Sequence, residues 1–421
     1  MAVAAAGLLV LAGFTIFLGY IGSLIFEKTR IPDVVWLLLF GLLVGPVFNL
    51  VNVTLFLSLS GLLSAIAILI ILFDAGLNMD FFTMIKEFSR ATALAILGIG
   101  LTMIVVGAVS MYLFNFDILT GLLLGAIIGG TSSPIVISMV SGMQIREHVK
   151  TVLQLESVLT DPICIVVSIA LIQIITFSLQ NSIAHDIIAS FSIGIVIGSL
   201  AGLIWLSILH ALRKRPFGYM LTLAMLLLLY VFVESIAASG AIAALFFGLV
   251  LGNGRTVTRF LRFKTRLGIK PFIKTFHKEM SFFIRSFFFV YLGLIVKINP
   301  TYLLYGVGIS AILILLRLVI VHLSMFKSAL SVVELNMMRI MTPRGLAAAV
   351  LAQLPLQYGI VGGNIISNIV FIVILCTVIY ASVATRFVYS PPTHGPATAK
   401  EKEVTKVPRR VSKKIVKKRK L

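Results

Sequence analysis

The chain has 421 residues, 59% of them hydrophobic and 12% charged, with a mean hydropathy of +1.11 and a formal net charge of +20. A soluble globular domain carries about 25% charged residues, so this composition excludes one and specifies a polytopic membrane protein. The two cysteines, Cys164 and Cys376, fall within apolar segments; they carry no information on redox compartment and suggest no metal site.

Apolar runs able to cross a hydrocarbon core of about 30 Å recur along nearly the whole sequence. About thirteen spans are expected, near 4–26, 33–49, 55–76, 91–114, 118–142, 151–178, 187–211, 217–235, 240–253, 281–296, 301–326, 335–356 and 365–388. The expected fold class is an all-α polytopic membrane protein, with residues 1–390 as its transmembrane domain. The first segment lacks a basic leader and runs at once into another span, which favours a retained helix over a cleaved signal.

Positive charge orients these spans. With the N-terminus outside, the loops after spans 1, 3, 5, 7, 9 and 11 are cytoplasmic. They hold Lys28 and Arg30; Lys86 and Arg90; Arg146 and Lys150; Arg213, Lys214 and Arg215; eight Lys/Arg in 254–278; and Lys327. The opposite loops hold Lys297 alone. An odd count leaves the C-terminus in the cytoplasm, in a multi-pass protein of the cell membrane.

Span 5 reads GAIIGGTSSPIVIS, with Gly129, Gly130, Thr131, Ser132, Ser133 and Pro134 near its middle. Irregular backbone at membrane depth is tolerated where protein or a water-filled cavity satisfies the freed groups. Such a break is expected here.

Span 6 contains LESVLTDPICIV. From Thr151 to Phe177 its only ionisable side chains besides Cys164 are Glu156 and Asp161. Either charge at the bilayer centre costs roughly 2.5–3.5 kcal/mol on insertion scales. Asp161 shares a helical stripe with Gln154, Ser157, Cys164 and Ser168, so one face of the span is polar through most of its depth. Pro162 removes a backbone donor and frees the Val158 carbonyl. A carboxylate, a hydroxyl at Thr160 or Ser157 and a spare carbonyl are hard oxygen ligands for a small cation. The same carboxylate can take a proton instead, and a site holding either a cation or a proton is sufficient for exchange. The competing reading is an acid neutralised by an internal arginine. Glu156 lies about 140° around the helix from Asp161 and faces a different neighbour. A structural ion pair with Arg317, on the otherwise apolar span 11, is expected in preference to direct ion binding.

In 254–278, Arg255, Arg259, Arg262, Arg266 and Lys270 follow helical spacing, with Val257, Phe260, Leu261 and Leu267 on the other side. The pattern predicts a basic amphipathic helix on the inner membrane surface; for its second half, where Gly268 and Pro271 interrupt, a solvated basic loop is an equal reading. Span 12 reads RIMTPRGLAAAV and carries a second interruption at Thr342, Pro343, Arg344 and Gly345. The two breaks sit seven spans apart. A six-span unit repeated after one linker helix would be inverted in its second copy, the plan of secondary transporters whose discontinuous helices cross at the substrate site. Arg344 could neutralise half-helix carbonyls or pair with an acid across the bundle. Asp74 either lines the entrance or is an interfacial acid, and Glu234, Arg285 and Arg339 lie near span ends, where snorkelling suffices.

The tail 391–421 begins PPTHGP and turns Lys-rich, as a disordered cytoplasmic segment does. Eight charges from 254–278 and a net nine from the tail make up most of the +20. Fused to a membrane bundle, such segments are expected to meet anionic lipid headgroups rather than nucleic acid. About thirty residues are too few for a soluble nucleotide-binding domain.

RIPDVVWLLLFGLLVGP, LFDAGLNMD, GGTSSP, LESVLTDP, FFFVYLGLIV and TPRGLAAAVLA, in this order, resemble the monovalent cation/proton antiporter superfamily across most of residues 1–390. The resemblance is closest to prokaryotic sodium/proton exchangers with thirteen spans. It implies a homodimer with a dimerisation domain and a core domain of crossed broken helices that moves like an elevator. It makes Asp161 the ion-carrying aspartate, with Ser157, Thr131 and Asp74 at or near the cation, Thr160 and Ser132 beside it, and Ser133, Pro134, Pro343 and Arg344 in the breaks. Glu156 and Arg317 become the buried pair. Two positions depart from the pattern: Ser132 stands where many such exchangers have an acid, and Thr160 where Asn or Asp is common. A single central carboxylate predicts electroneutral exchange of one cation for one proton.

The expected function is therefore antiport of Na⁺ or Li⁺ against H⁺, with the transported ions and no cofactor. The nearest alternative is K⁺/H⁺ antiport governed by a separate soluble subunit, because fewer charged ligands weaken the case for sodium. A channel lacks its pore-loop filter here. An enzyme lacks a nucleophile–base pair or metal spacing.

Overall fold

The computed structural model describes residues 2–29, 31–51, 60–79, 81–141, 143, 145–176, 183–212, 217–262, 267–269, 271–297, 299–325 and 330–388. The tail 391–421, Arg30, Arg213, Lys214, Arg215, Arg266, Lys270 and Lys327 lie outside them, as do the side chains of Lys28 and Lys86.

The described residues fold into helices and connecting turns, with no strand among them. In order these are α1 (Ala2–Thr29), α2 (Asp33–Leu42) with a π-turn at Leu43–Val47, α3 (Ser60–Asn78), α4 (Phe81–Phe114), α5 (Ile118–Ile127), α6 (Ser133–Ser141), α7 (Glu147–Thr176), α8 (Ile183–Ala211) and α9 (Gly218–Ser235). There follow α10 (Gly240–Gly252), α11 (Gly254–Phe260), α12 (Pro271–Ile295), α13 (Pro300–Ser324), α14 (Val332–Ile340), α15 (Leu346–Leu351), α16 (Leu354–Gln357) and α17 (Gly363–Val388).

Helix starts follow local chemistry. The Asp117 carboxylate accepts from Leu119 N–H and Asn299 Oδ1 from Thr301 N–H. Ser331 and Glu334 form a reciprocal capping box at α14. By length and composition, seven helices among the described residues suffice to cross a bilayer, or eight with the bent pair α10–α11. Phe14, Ile104, Ile204, Leu228 and Leu315 point outward, as apolar side chains facing lipid do.

Packing repeats itself in the inverted sense expected. Exchanging each span for its counterpart seven positions away carries spans 2 and 10 onto spans 9 and 3, and both pairings exist as α2 against α12 and α10 against α3. Both are backbone-close. A Cβ on Gly293 of α12 would strike the Leu38 carbonyl, and one on Gly248 of α10 the Phe73 carbonyl. The same shift carries α4 against α7 onto α13 against α17, and α1 against α2 onto α9 against α10. Two buried clusters result. A large one joins α2, α4–α7 and α12–α17 with one side of α3 and α10; a smaller one joins the other side of α3 and α10 with α8 and α9.

The amphipathic pattern of 254–278 is only locally helical. α11 ends at Phe260, Arg262 adopts φ +55°, and Pro271 opens the long helix α12. Leu267 is buried, but Phe260 and Leu261 are exposed. The left-handed Arg262 falls ahead of the interruption that Gly268 and Pro271 mark in the sequence.

Candidate functional site: crossed helix breaks over Asp161

The two interrupted spans meet at their breaks. Residues 128–132 separate α5 from α6, and 341–345 separate α14 from α15. Ser132 N–H donates to the Pro343 carbonyl at 2.8 Å, joining one irregular strand of backbone to the other. Open carbonyls remain at the end of α5, where the Ile128–Ser132 turn abandons helical pairing. Arg344 fills them: its guanidinium donates to Gly129 O at 3.1 Å and to Gly130 O. Its own N–H donates to Thr377 Oγ1 of α17 at 3.2 Å. A buried arginine thus holds carbonyls, not an acid.

The break rests on α7. Thr131 N–H donates to Thr160 Oγ1 at 3.1 Å, and Thr160 Oγ1 lies 3.3 Å from Thr131 O and 3.1 Å from Ser157 O. Ser133, at the first turn of α6, donates its hydroxyl to Asp161 Oδ2 at 2.6 Å. Asp161, half-buried, therefore faces a helix N-terminus, whose dipole favours negative charge. Ser157 is buried and gives its hydroxyl to Gln154 O at 2.9 Å. α7 continues through Pro162 to Thr176.

On the other side of α7, Arg317 grips both Glu156 oxygens, Nη2 reaching Oε2 at 2.9 Å, and donates Nε–H to Met338 O at 2.9 Å. Glu156 is 2% and Arg317 4% exposed, so the pair ties α7, α13 and α14 in a dry interior.

The structure brings Asp161, Thr160, Thr131, Ser133, Ser157 and Arg344 together around one crossing, with Ser132 and Pro343 forming the crossing itself. It does not join Asp74 to that group. Asp74 accepts from Asn78 Nδ2 at 2.9 Å on its own helix and faces Lys278 and Arg285 of α12. Three acids and bases placed near span ends have partners. Arg285 pairs with Asp33 at 3.3 Å, Arg339 donates to Asn336 at 3.1 Å, and Glu234 accepts Gly240 N–H at 2.9 Å. Arg146 and Glu334, unconnected in the sequence reading, form an ion pair between α14 and the residues preceding α7. The bonds of Ser133 and Thr377 had no local signal, because each partner lies 28 or more residues away.

A cavity of about 380 Å³ opens beside the crossing, lined by Tyr20, Asp33, Pro134, Ile135, Ser138 and Arg285 among others. Pro134 and Ile135 directly follow Ser133, so the cavity reaches the turn that holds Asp161. Among the described residues no cluster of His, Cys, Asp and Glu could hold a metal ion.

Inverted repeats, discontinuous helices crossing mid-chain and a half-buried carboxylate at the crossing define a secondary transporter of the multi-pass helical class. The chain belongs to the sodium/hydrogen exchanger, transmembrane, family, whose model matches residues 13–390. It is 28% identical over 304 residues to a probable Na⁺/H⁺ antiporter 2 of Methanocaldococcus jannaschii, covering 67% of this chain and 70% of that one. It is 24% identical over 385 residues to the K⁺/H⁺ antiporter NhaP of Alkalimonas amylolytica, covering 87% of this chain and 64% of that one. The K⁺/H⁺ antiporter NhaP2 of a Shewanella strain matches at 30% over 200 residues, so the chain spans about a third (35%) of that relative's length. The solved sodium/proton antiporter MjNhaP1 of M. jannaschii superposes with a TM-score of 0.73 at 25% identity, covering 90% of this chain and 98% of that one.

Proposed function

We propose that this protein exchanges Na⁺ or Li⁺ for H⁺ across the cell membrane, one for one, with Asp161 as the group that carries either ion. The observation behind this reading is the Ser133–Asp161 bond at the crossing of the two breaks. It turns the carboxylate toward the first turn of α6, where Thr131 and Ser157 supply neighbouring hydroxyl oxygens for a cation. Proton and cation then compete for one carboxylate. With one exchanging charge, the cycle moves no net charge.

Glu156 and Arg317 act as scaffold in this reading, and Arg344 neutralises the break. Asp74 stands off the ion at the α12 side of the path. The cavity beside Pro134 is the open access, on the same side as Arg146. That side is the cytoplasm if the basic loops are inside. The transported ions are the only small molecules required, the protein is a transporter rather than an enzyme, and the working unit is a homodimer in the bilayer. Anionic lipid is the partner of the basic loop and tail.

Proteoliposomes with an imposed pH gradient and an internal pH dye test the reading. Na⁺ or Li⁺ should dissipate the gradient without sensitivity to membrane voltage, and Asp161→Asn should abolish this. If Na⁺, Li⁺ and K⁺ all leave the gradient intact, the antiporter reading fails. K⁺/H⁺ exchange is the second reading, supported by the K⁺/H⁺ relatives and by Ser132 and Thr160 standing where further acids or an amide would be. Activity with K⁺ alone would select it.

A further inference from the structure

A second cavity, of about 240 Å³, lies at the other end of α7 and has no part in the site above. Ile172 and Gln173 of α7, Tyr230 and Glu234 of α9 and Tyr358, just after α16, are among the residues lining it. Its relation to Asp161 follows from helical phase. Cys164, Ser168 and Ile172 continue the Asp161 face of α7, and Ile172 lies eleven residues on, roughly 16 Å along the axis at 1.5 Å per residue. Ser168 Oγ, on that stripe, is buried without a hydrogen-bond partner among the described residues. Ile68, Ile172 and Leu354 line the cavity with apolar surface. Ile172 and Leu354 are buried.

The polar lining comes from Gln173, Tyr230, Glu234, Ser239, Gln357 and Tyr358. Glu234 accepts Gly240 N–H with Oε1, and Oε2 has no hydrogen bond among the described residues. Gln173 Oε1 is buried and accepts nothing among the described residues, an unsatisfied acceptor on a residue that lines this cavity. The hydroxyls of Tyr230 and Tyr358 stand at the same cavity. A carboxylate oxygen, an amide oxygen and two phenol oxygens from α7, α9 and the α16 turn suit a hard monovalent cation. The alternative, that Glu234 serves only to cap α10, leaves Gln173 unexplained.

We propose that Glu234, with Gln173 and the two tyrosines, forms a second, recruiting site for a monovalent cation, at the mouth of the path opposite the cavity beside Pro134. The inference rests on the antiporter reading and adds a residue set to it. Cations entering from this side meet Glu234 before Asp161. Cations entering from the other side do not.

Right-side-out and everted vesicles from cells expressing the full chain separate the two sides, with Na⁺ as probe. Glu234→Gln keeps a side-chain acceptor for Gly240 N–H and removes the charge. It should raise the apparent KM for Na⁺ about five-fold from the Glu234 side, the scale of a partly exposed ion contact, with kcat unchanged and the opposite KM untouched. Glu234→Asp should restore most of the loss, and Gln173→Leu should raise the same one-sided KM. An unchanged KM, or an equal rise from both sides with reduced thermal stability, overturns the inference. Wild-type vesicles that show no cation-dependent proton flux would instead defeat the antiporter reading itself.

Discussion

Arg344, from the break of one discontinuous span, donates to the backbone carbonyls of Gly129 and Gly130 in the break of the other. The two interruptions therefore satisfy each other: an arginine side chain supplies the donors that a continuous helix would have provided. Among the described residues no arginine pairs with the cation-carrying candidate Asp161. The nearby positive charge is already committed to peptide oxygens, and Asp161 is held by neutral donors of Ser133, its hydroxyl and its backbone N–H.

Arg344→Gln should destabilise the protein and stop exchange. Leaving buried carbonyls without donors costs about 1–3 kcal/mol each, and Gln cannot span both. Thermal unfolding in detergent should show a loss of several degrees. Arg344→Lys keeps the charge but not the fork, and should recover less than half of the stability. A Gln variant with wild-type unfolding would refute the bridging role.

Ser133→Ala removes the hydroxyl bonded to Asp161 while leaving the α6 first turn intact. A hydrogen bond to a charged group contributes about 1.5–3 kcal/mol, and this one favours the ionised carboxylate over the protonated one. Without it the proton is held more tightly, so half-maximal exchange should move to higher pH by roughly one unit, about 1.4 kcal/mol. The measurement is a pH profile of Na⁺-driven proton flux in proteoliposomes. A shift to lower pH would contradict the assignment of Ser133 as donor.

The Glu156–Arg317 pair predicts a different signature. Breaking a buried pair from one side costs about 3–5 kcal/mol by stranding the other charge. Glu156→Gln and Arg317→Met should each lower the unfolding temperature markedly, while the double variant should recover much of it. Transport by whatever fraction folds should persist. A well-folded but inactive Glu156→Gln protein would move Glu156 from scaffold to ion path.

How much of this was legible in the sequence depends on the range of the interaction. The breaks were visible because Gly, Pro and hydroxyl residues disrupt an apolar run locally, and helical phase alone placed Glu156 and Asp161 on different faces of α7. The Arg317 partner could be named because one buried arginine stood on an apolar span. Arg146 and Glu334 escaped notice: each sits at a helix end where a charge is ordinary, and only folding brings them together. Arg285 and Glu234 were read as span-end charges for the same reason, yet Asp33 and the α10 N-terminus engage them. Within 254–278 the sequence marks Gly268 and Pro271 as interruptions, and α11 ends earlier, at Phe260. Arginine spacing carries no information about the positive φ of Arg262.

Gly345 offers the sharpest test of the crossing. A Cβ at this position would occupy the place of the Ser132 hydroxyl, so Gly345→Ala forces the two breaks apart at the point where Ser132 N–H meets Pro343 O. Overpacking of a tight interior typically costs about 1–3 kcal/mol, and separation here also strains the Arg344 bridge. The single variant should lose stability and exchange together. Ser132→Gly supplies the missing room, so the Gly345→Ala, Ser132→Gly double variant should recover unfolding temperature and a substantial share of transport. The recovery would show that the hydroxyl of Ser132 is dispensable for ion binding. Restored stability with no transport would instead place that hydroxyl in the cation's coordination, beside Thr131.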